Sequence, residues 1–282
     1  MSRRVRLDAE LVRRGLARSR AHAAQLIGTG AVLVDGRPAT KPASQLTTAQ
    51  AVRVVESPGA EPDYVSRGAH KLAGALEALG ERAPRIEGVR ALDAGASTGG
   101  FTDVLLRRGA THVVCVDVGY GQLDWRLRND DRVTVLERTN VRALTAEQVA
   151  PAPGLVVADL SFISLTLVLP VLVDVSAPQA RMMLMVKPQF EVGRERLGAG
   201  GVVRDPALHH WAVAHVARHA QQQGAGVLDV VASPLPGPRG NVEYFLHLVR
   251  SAQDSAVPVL EEDRLSEAIR TAVATGPAGG RT

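Results

Sequence analysis

Thirty of the 33 basic residues in this 282-residue chain are arginines; the three lysines are Lys41, Lys71 and Lys187. Arginine stays protonated in a protein, whereas a lysine can give up its proton and act as a base. Where arginine has taken over generic positive charge, Lys71 and Lys187 become candidates for work that a guanidinium cannot do. Asp159 closes one apolar run, LVVAD, and Glu243 opens another, EYFLHLV. A Lys–Asp–Lys–Glu set can align a hydroxyl and remove its proton. Starting from an ordinary pKa of about 10.4, an amine that accepts a proton near neutral pH must lose roughly 3–4 kcal/mol of preference for its charged form. A neighbouring cation and desolvation push that way and carboxylates oppose it, so the acids are better suited to orienting the amine. Lys187 is the candidate base, and Lys71 is the candidate for steering the hydroxyl or holding a phosphate. Each residue alone reads more readily as half of a surface ion pair; the four together do not.

A second candidate site is the run Asp93-Ala94-Gly95-Ala96-Ser97-Thr98-Gly99-Gly100. A glycine-rich turn between a strand and a helix lets backbone approach a ligand closely. The dinucleotide fingerprint needs G-x-G-x-x-G, and G-x-x-x-G-G offers no pyrophosphate cradle. Asp93 would suit a cationic ligand portion such as an amino group. Asp117 lies 22 residues after Gly95, at the end of the next strand, where an acid commonly takes ribose hydroxyls.

The elements that must position these residues alternate between apolar strands and amphipathic helices. Strands are predicted at 89–92, 113–117, 133–136, 155–159, 182–186, 227–232 and 242–249, with helices at 67–79, 99–108, 122–128 and 206–223. This is the pattern of an α/β doubly wound sheet. Asp159 ends one parallel strand and Lys187 follows another, so both belong at the carboxyl edge. The loop SPLPGPRGN makes a hairpin of the last two strands and brings Glu243 to that same edge. The helix bearing Lys71 must run back across the sheet before strand 89–92, which puts its first turn there too. A tail helix is expected near 258–273, followed by a disordered end.

Residues 1–56 hold ten basic and four acidic side chains, +6 net, on a chain whose total is +4. The head reads as a helical hairpin, with Gly15 as a stop and Ser19 as a cap, followed by short strands around an Asp35-Gly36 turn. A basic head suits a polyanion such as nucleic acid, although a charge run alone is more often a solvated face. Residues 57–66 read as a linker, rich in Pro, Gly and acid at its start.

Composition excludes several classes. The apolar run Leu160–Val173 would reach only about 21 Å as a helix, short of a hydrocarbon core of about 30 Å. No apolar signal core follows the basic N-terminus, so a cytoplasmic protein is expected. The single cysteine, Cys115, makes neither an internal disulfide nor a cysteine zinc site. His209, His210, His215 and His219 lack an HExxH pattern, read as a solvated helix face, and imply no metal. Ser161 and Ser164 lack a nucleophile elbow. Phe162 or Phe190 has the chemistry to stack a base, and wall packing is an equal alternative for both, as for Phe101.

Two resemblances join these readings. RLDAELVRRGLARSRAHAAQLIGTGAVLVDGRPATKPASQLT resembles the S-four RNA-binding domain, which implies RNA contacts at Arg6, Arg18, Ser19 and Arg20. D-x-G-x-S-x-G-G resembles the S-adenosyl-L-methionine loop of class I (Rossmann-like) methyltransferases. That likeness implies that Gly95, Ser97 and Gly99 line the methionine portion, that Asp117 takes the ribose and that Asn140 lies near the adenine. SRGAHKL, ADLSFISL, VKPQFE and GNVEYF resemble the K-D-K-E tetrad of FtsJ-like 2′-O-ribose methyltransferases, here Lys71, Asp159, Lys187 and Glu243. Together these stretches resemble the TlyA family over nearly the whole chain. The implied enzyme is a monomer that methylates cytidine ribose in ribosomal RNA of one or both ribosomal subunits, without metal or membrane. The implied domains are 1–56 for RNA, 67–250 for catalysis and 251–282 for the tail. The alternatives are a non-catalytic ribosome-assembly factor and a haemolysin-like lytic protein.

Overall fold

A computed structural model of the chain describes residues 4–17, 19–28, 30–47, 50–54, 64–251 and 258–277. They fall into two compact units, Met1–Asp63 and Tyr64–Thr282.

The larger unit is built on one seven-stranded sheet. Its strands are β1 (Arg90–Ala94), β2 (His112–Val116), β3 (Val133–Leu136), β4 (Leu155–Ala158), β5 (Arg181–Val186), β6 (Ala225–Ala232) and β7 (Tyr244–Arg250). They lie in the order β6-β7-β5-β4-β1-β2-β3. Strands β1 to β5 run parallel, and β7 runs antiparallel to both β5 and β6. The order reverses between β1 and β4, so a crevice opens outside the carboxyl ends of these two strands.

The central strands are continuous in Val, Leu, Ala and Met because both faces are covered. Leu92, Val114, Val156 and Met182 face α3 (Leu169–Val175), α4 (Pro206–Gln222) and α5 (Glu262–Thr275). One residue along each strand, Ala91, Val113, Val157 and Met183 face α1 (Gly68–Leu79) and α2 (Gly100–Arg107).

Three segments differ from the expectation. The predicted helix at 122–128 shrinks to Trp125–Arg128, because the Asp124 carboxylate caps it by accepting from the Arg126 N–H at 2.9 Å. The apolar run 160–173, to which the sequence pattern assigns no element, contains a 3-10 turn, Leu165–Leu167, and most of α3. The tail helix starts at Glu262 rather than 258, since the Leu260 N–H donates to the Val227 carbonyl at 2.7 Å and the chain there lies along β6. The 252–257 and 278–282 segments lie outside the described residues.

The smaller unit packs helices Leu7–Arg13 and Arg20–Gly28 against a sheet of Val32–Val34, Arg37–Pro38 and Val52–Val54. Leu7, Leu11, Ala23, Ile27, Val32 and Leu46 form its core. The Ser19 hydroxyl caps the second helix, accepting from the His22 N–H at 3.1 Å. Asp35 and Gly36 adopt φ of 49° and 80°, the left-handed pair that a two-residue hairpin turn requires. Residues 57–63 of the expected linker lie outside the described residues, and Tyr64–Ser66 belong to the larger unit.

Candidate active site

Four separate elements deliver the Lys–Asp–Lys–Glu set. Lys71 is in the first turn of α1, Asp159 follows β4, Lys187 follows β5, and Glu243 precedes β7. Hairpin bonding from the Ser233 N–H to the Glu243 carbonyl, 2.8 Å, fixes the start of β7 at the carboxyl edge.

The four side chains form a row of alternating charge. Glu243 Oε2 is 2.5 Å from Lys71 Nζ, Lys71 Nζ is 4.0 Å from Asp159 Oδ2, and Asp159 Oδ1 is 2.5 Å from Lys187 Nζ. Glu243 is 1% exposed and each lysine 7%, whereas the Asp159 side chain is 23% exposed, so the row is sealed at Glu243 and wettest at Asp159, between the two lysines. Charges this enclosed persist only when paired, because desolvation of a lone ion costs several kcal/mol. Gly237 makes room for the sealed end: a Cβ there would lie 2.7 Å from Glu243 Oε1. Lys71 Nζ also contacts Met185 Sδ at 3.9 Å, and Lys187 Nζ donates to Ser161 Oγ at 3.2 Å.

The glycine loop adjoins this row. Gly95 has φ +85°, and a Cβ on it would lie 2.7 Å from the Asp159 carbonyl oxygen. Gly99 has φ +95°, and a Cβ on it would overlap Leu127 Cδ1. Ser97, between them, also takes a left-handed φ of 49°. Asp117, at the end of β2, ties the loop down: Oδ2 accepts from the Ser97 N–H at 2.8 Å and Oδ1 from the Gly119 N–H at 2.7 Å. Ala96, Ser97, Asp117, Gly119, Gln122 and Glu137 border a small pocket beside it. Asn140 is exposed and its Oδ1 accepts from the Arg142 N–H at 3.0 Å, while the neighbouring Thr139 N–H bonds the Asp117 carbonyl at 2.9 Å.

Asp93 lies deeper than a contact on the crevice surface. It is fully buried on the α2 face of the sheet; Oδ2 accepts from the Thr102 hydroxyl at 2.7 Å and Oδ1 has no partner. Burial lifts its carboxyl to about 7, against the Thr102 hydrogen bond and helped by the Asp159 and Asp117 charges.

Other candidates separate cleanly. Phe101 is 4% exposed and packs on Phe245, 5.9 Å between centroids, so it is core. Phe162 is 84% exposed at the carboxyl edge with φ 63°, its ring 5.3 Å from that of Phe190. The solvated face expected of the histidines fails for His209. That ring is buried between the Val203 carbonyl, 2.9 Å, and the Tyr244 hydroxyl, 3.0 Å, because its side of α4 packs on β7. Among the described residues no group of His, Cys, Asp and Glu is arranged to hold a metal.

Sequence reasoning passed over Ser161 as a neighbour of Lys187, and passed over Gln122, Glu137 and Glu191. Glu191 carries the plainest missed signal, a carboxylate four residues after Lys187 in the quoted stretch VKPQFE. Its Oε1 accepts from the Leu165 N–H at 2.9 Å and its Oε2 from the Ser164 hydroxyl at 2.5 Å.

In the smaller unit the arginines are anchored by buried acids. Arg6 donates twice to Asp8, at 3.1 and 2.8 Å, and Arg20 donates to Asp8 Oδ2 at 2.9 Å. The Arg6 hydrogen bonds, then that of Arg20, hold the Asp8 carboxyl well below the usual range. Glu10 is held at about 2 by hydrogen bonds from Arg13 and then Arg14. The side chains of Arg6 and Arg20 remain 44% and 59% exposed, so both still reach solvent. The Ser19 hydroxyl is occupied as a helix cap, and Arg18 lies outside the described residues.

Both units of the chain resemble known proteins. Residues 64–250 match the FtsJ-like methyltransferase family and residues 5–52 the S4 domain. The 16S/23S rRNA (cytidine-2′-O)-methyltransferase TlyA of Mycobacterium tuberculosis is 58% identical over 277 residues, covering 98% of this chain and all of that protein. Hemolysin A of Brachyspira hyodysenteriae is 34% identical, covering 87% of this chain and all of that one. A solved structure of a hemolysin-named Streptococcus thermophilus protein superposes with a TM-score of 0.69 at 34% identity, over 96% of both chains. The chain therefore belongs to the TlyA family of FtsJ-like methyltransferases, with an S4 domain ahead of its catalytic unit.

Proposed function

We propose that this methyltransferase transfers a methyl group from S-adenosyl-L-methionine to the 2′-hydroxyl of a cytidine in ribosomal RNA, of the 16S or 23S molecule or both, in the cytoplasm. The observation that carries the reading is the Glu243–Lys71–Asp159–Lys187 row lying against the glycine loop. Its residue types suit removal of a proton from an aligned hydroxyl, and the names of the relatives supply the substrate.

The loop fits the donor chemically. Asp93 offers a buried carboxyl with an unpartnered oxygen for an amino group, Gly95, Ser97 and Gly99 offer close backbone, and Asp117 offers oxygens with lone pairs to spare for ribose hydroxyls. Asn140 would stand near the adenine. When bound, the donor supplies an electrophilic methyl on a cationic sulfur.

The chain's own residues do the rest. Lys187 Nζ takes the proton of the ribose hydroxyl, which requires its neutral form at that moment. Asp159 holds the amine in place, and Lys71, pinned by Glu243, directs the hydroxyl. Arg6, Arg18, Ser19 and Arg20 of the smaller unit hold RNA through phosphates and shape. The exposed ring of Phe162 stacks a base beside the target. Residues 1–56 are the RNA-docking domain, 67–250 the catalytic domain and 251–282 its tail.

Lys187→Ala tests the base. Methyl incorporation from labelled donor is expected to vanish while calorimetry shows donor binding retained, and unchanged incorporation refutes the assignment. Arg20→Ala tests the docking unit: RNA affinity falls and the slope of log K against log salt flattens by about one. An unaltered slope removes Arg20 from the interface.

A further inference from the structure

Lys187 makes two polar contacts. Its Nζ is 2.5 Å from Asp159 Oδ1 and 3.2 Å from Ser161 Oγ, and the residue is 7% exposed. A neutral primary amine has two N–H bonds and one lone pair. With no acceptor the amine turns freely about its Cε–Nζ bond and the lone pair sweeps a cone. Asp159 Oδ1 lies at ion-pair distance without hydrogen-bond geometry, so the bond to Ser161 Oγ is the one that fixes an N–H and confines the lone pair to two staggered directions.

We infer that Ser161 is the positioning residue for Lys187, holding one N–H so that the lone pair is turned toward the ribose hydroxyl; this rests on the reading of Lys187 as the base. The loop around Ser161 is built to hold such a position. It is anchored on one side by Asp159, whose N–H bonds the Ala94 carbonyl at 3.1 Å. It is anchored on the other by Ser164 and Leu165, which donate to the two oxygens of Glu191 at 2.5 and 2.9 Å. Glu191 ends Pro188–Glu191, the helical turn that begins directly after Lys187. One carboxylate therefore fastens the serine loop to the lysine segment, so amine and hydroxyl keep their separation when RNA arrives. Misaiming of a reacting group costs up to about 100-fold in rate, which sets the size of the expected effect.

The test uses the full chain and ribosomal RNA, comparing wild type, Ser161→Ala, Ser161→Thr and Lys187→Ala. Ser161→Ala is expected to lower kcat about 10- to 100-fold. It should leave KM for RNA, donor affinity by calorimetry and the melting temperature essentially unchanged, and Ser161→Thr should restore most of kcat. Full activity of Ser161→Ala beside an inactive Lys187→Ala overturns the inference and spares the base assignment. An effect confined to KM for RNA, or no recovery with threonine, also overturns it, since the serine then serves substrate contact or structure. An active Lys187→Ala sinks the underlying reading instead.

Discussion

Asp93→Asn isolates the cost of keeping an acid under the glycine loop. In the unfolded chain this carboxyl ionises at about 3.8 and in the folded protein at about 7. A raised folded value means that the unfolded state sheds the proton first, so stability is greatest below about pH 4 and falls until pH passes about 7. A gap of about three pH units corresponds to about 4 kcal/mol. In a domain of this size 1 kcal/mol moves Tm by about 2–4 °C, so the contribution spans about 8–16 °C. Asparagine does not ionise, still accepts from Thr102, and carries a pH-independent cost for an amide nitrogen placed where Oδ1 has no partner. The slope therefore decides, whatever the offset. Thermal melts of both proteins from pH 4 to 8 should show wild type losing ground to the variant up to pH 7 and then tracking it. Parallel curves would refute the argument. A cationic ligand beside Asp93 favours the ionised form, so calorimetry in buffers of different ionisation enthalpy should show proton release on donor binding near pH 6–7 in wild type only.

Three further outcomes follow from the same geometry. Glu243→Ala leaves Lys71 enclosed, with Asp159 4.0 Å away as its nearest carboxylate, and should cost about 3–5 kcal/mol in urea unfolding; adding Lys71→Met should recover most of it, and no recovery would mean that the buried charge is not the cause. Gly99→Ala must hold φ +95° against Leu127, so a loss of about 2 kcal/mol or more is expected together with weakened donor binding by calorimetry, and a neutral effect would show that the loop tolerates a side chain. In the smaller unit Asp8 and Glu10 have lowered values, Glu10 at about 2. Their contribution is complete above about pH 5 and declines as pH falls, that of Glu10 being lost through about 2 and that of Asp8 lower still, so hydrogen exchange in Leu7–Arg13 should accelerate near pH 2 beyond its intrinsic pH dependence; Arg13→Ala should blunt that response.

The sheet and the convergence of Lys71, Asp159, Lys187 and Glu243 were legible because both follow from chain direction. Strand ends and hairpins fix which edge a residue reaches, and strand 133–136 appears as read. The stretch from 160 to 173 was not legible, because it is uncharged, and apolar except for Ser161, Ser164 and Thr166, and periodicity cannot distinguish turn from helix there. Pro170 sits within the first turn of α3, where proline fits well, although mid-run it looks like a helix breaker. The anchoring of Arg6 and Arg20 by Asp8 was equally hidden, since a charge count ignores which arginines already have partners. Asp93 was found as an acid before glycines, but its enclosure depends on the pleat, which turns it toward Thr102.

The unequal wetting of the charged row sets a limit on turnover. If Lys187 receives a proton in every round, the ammonium it becomes beside Asp159 is the spent form, and the catalyst must discharge it before working again. Glu243 and Lys71 offer no exit at 1% and 7% exposure, so the proton leaves on the side of Asp159 and the exposed Ser161. On the proposed reading the ribose hydroxyl meets Lys187 from that same side, so the enzyme would reset only once its methylated product has stepped aside.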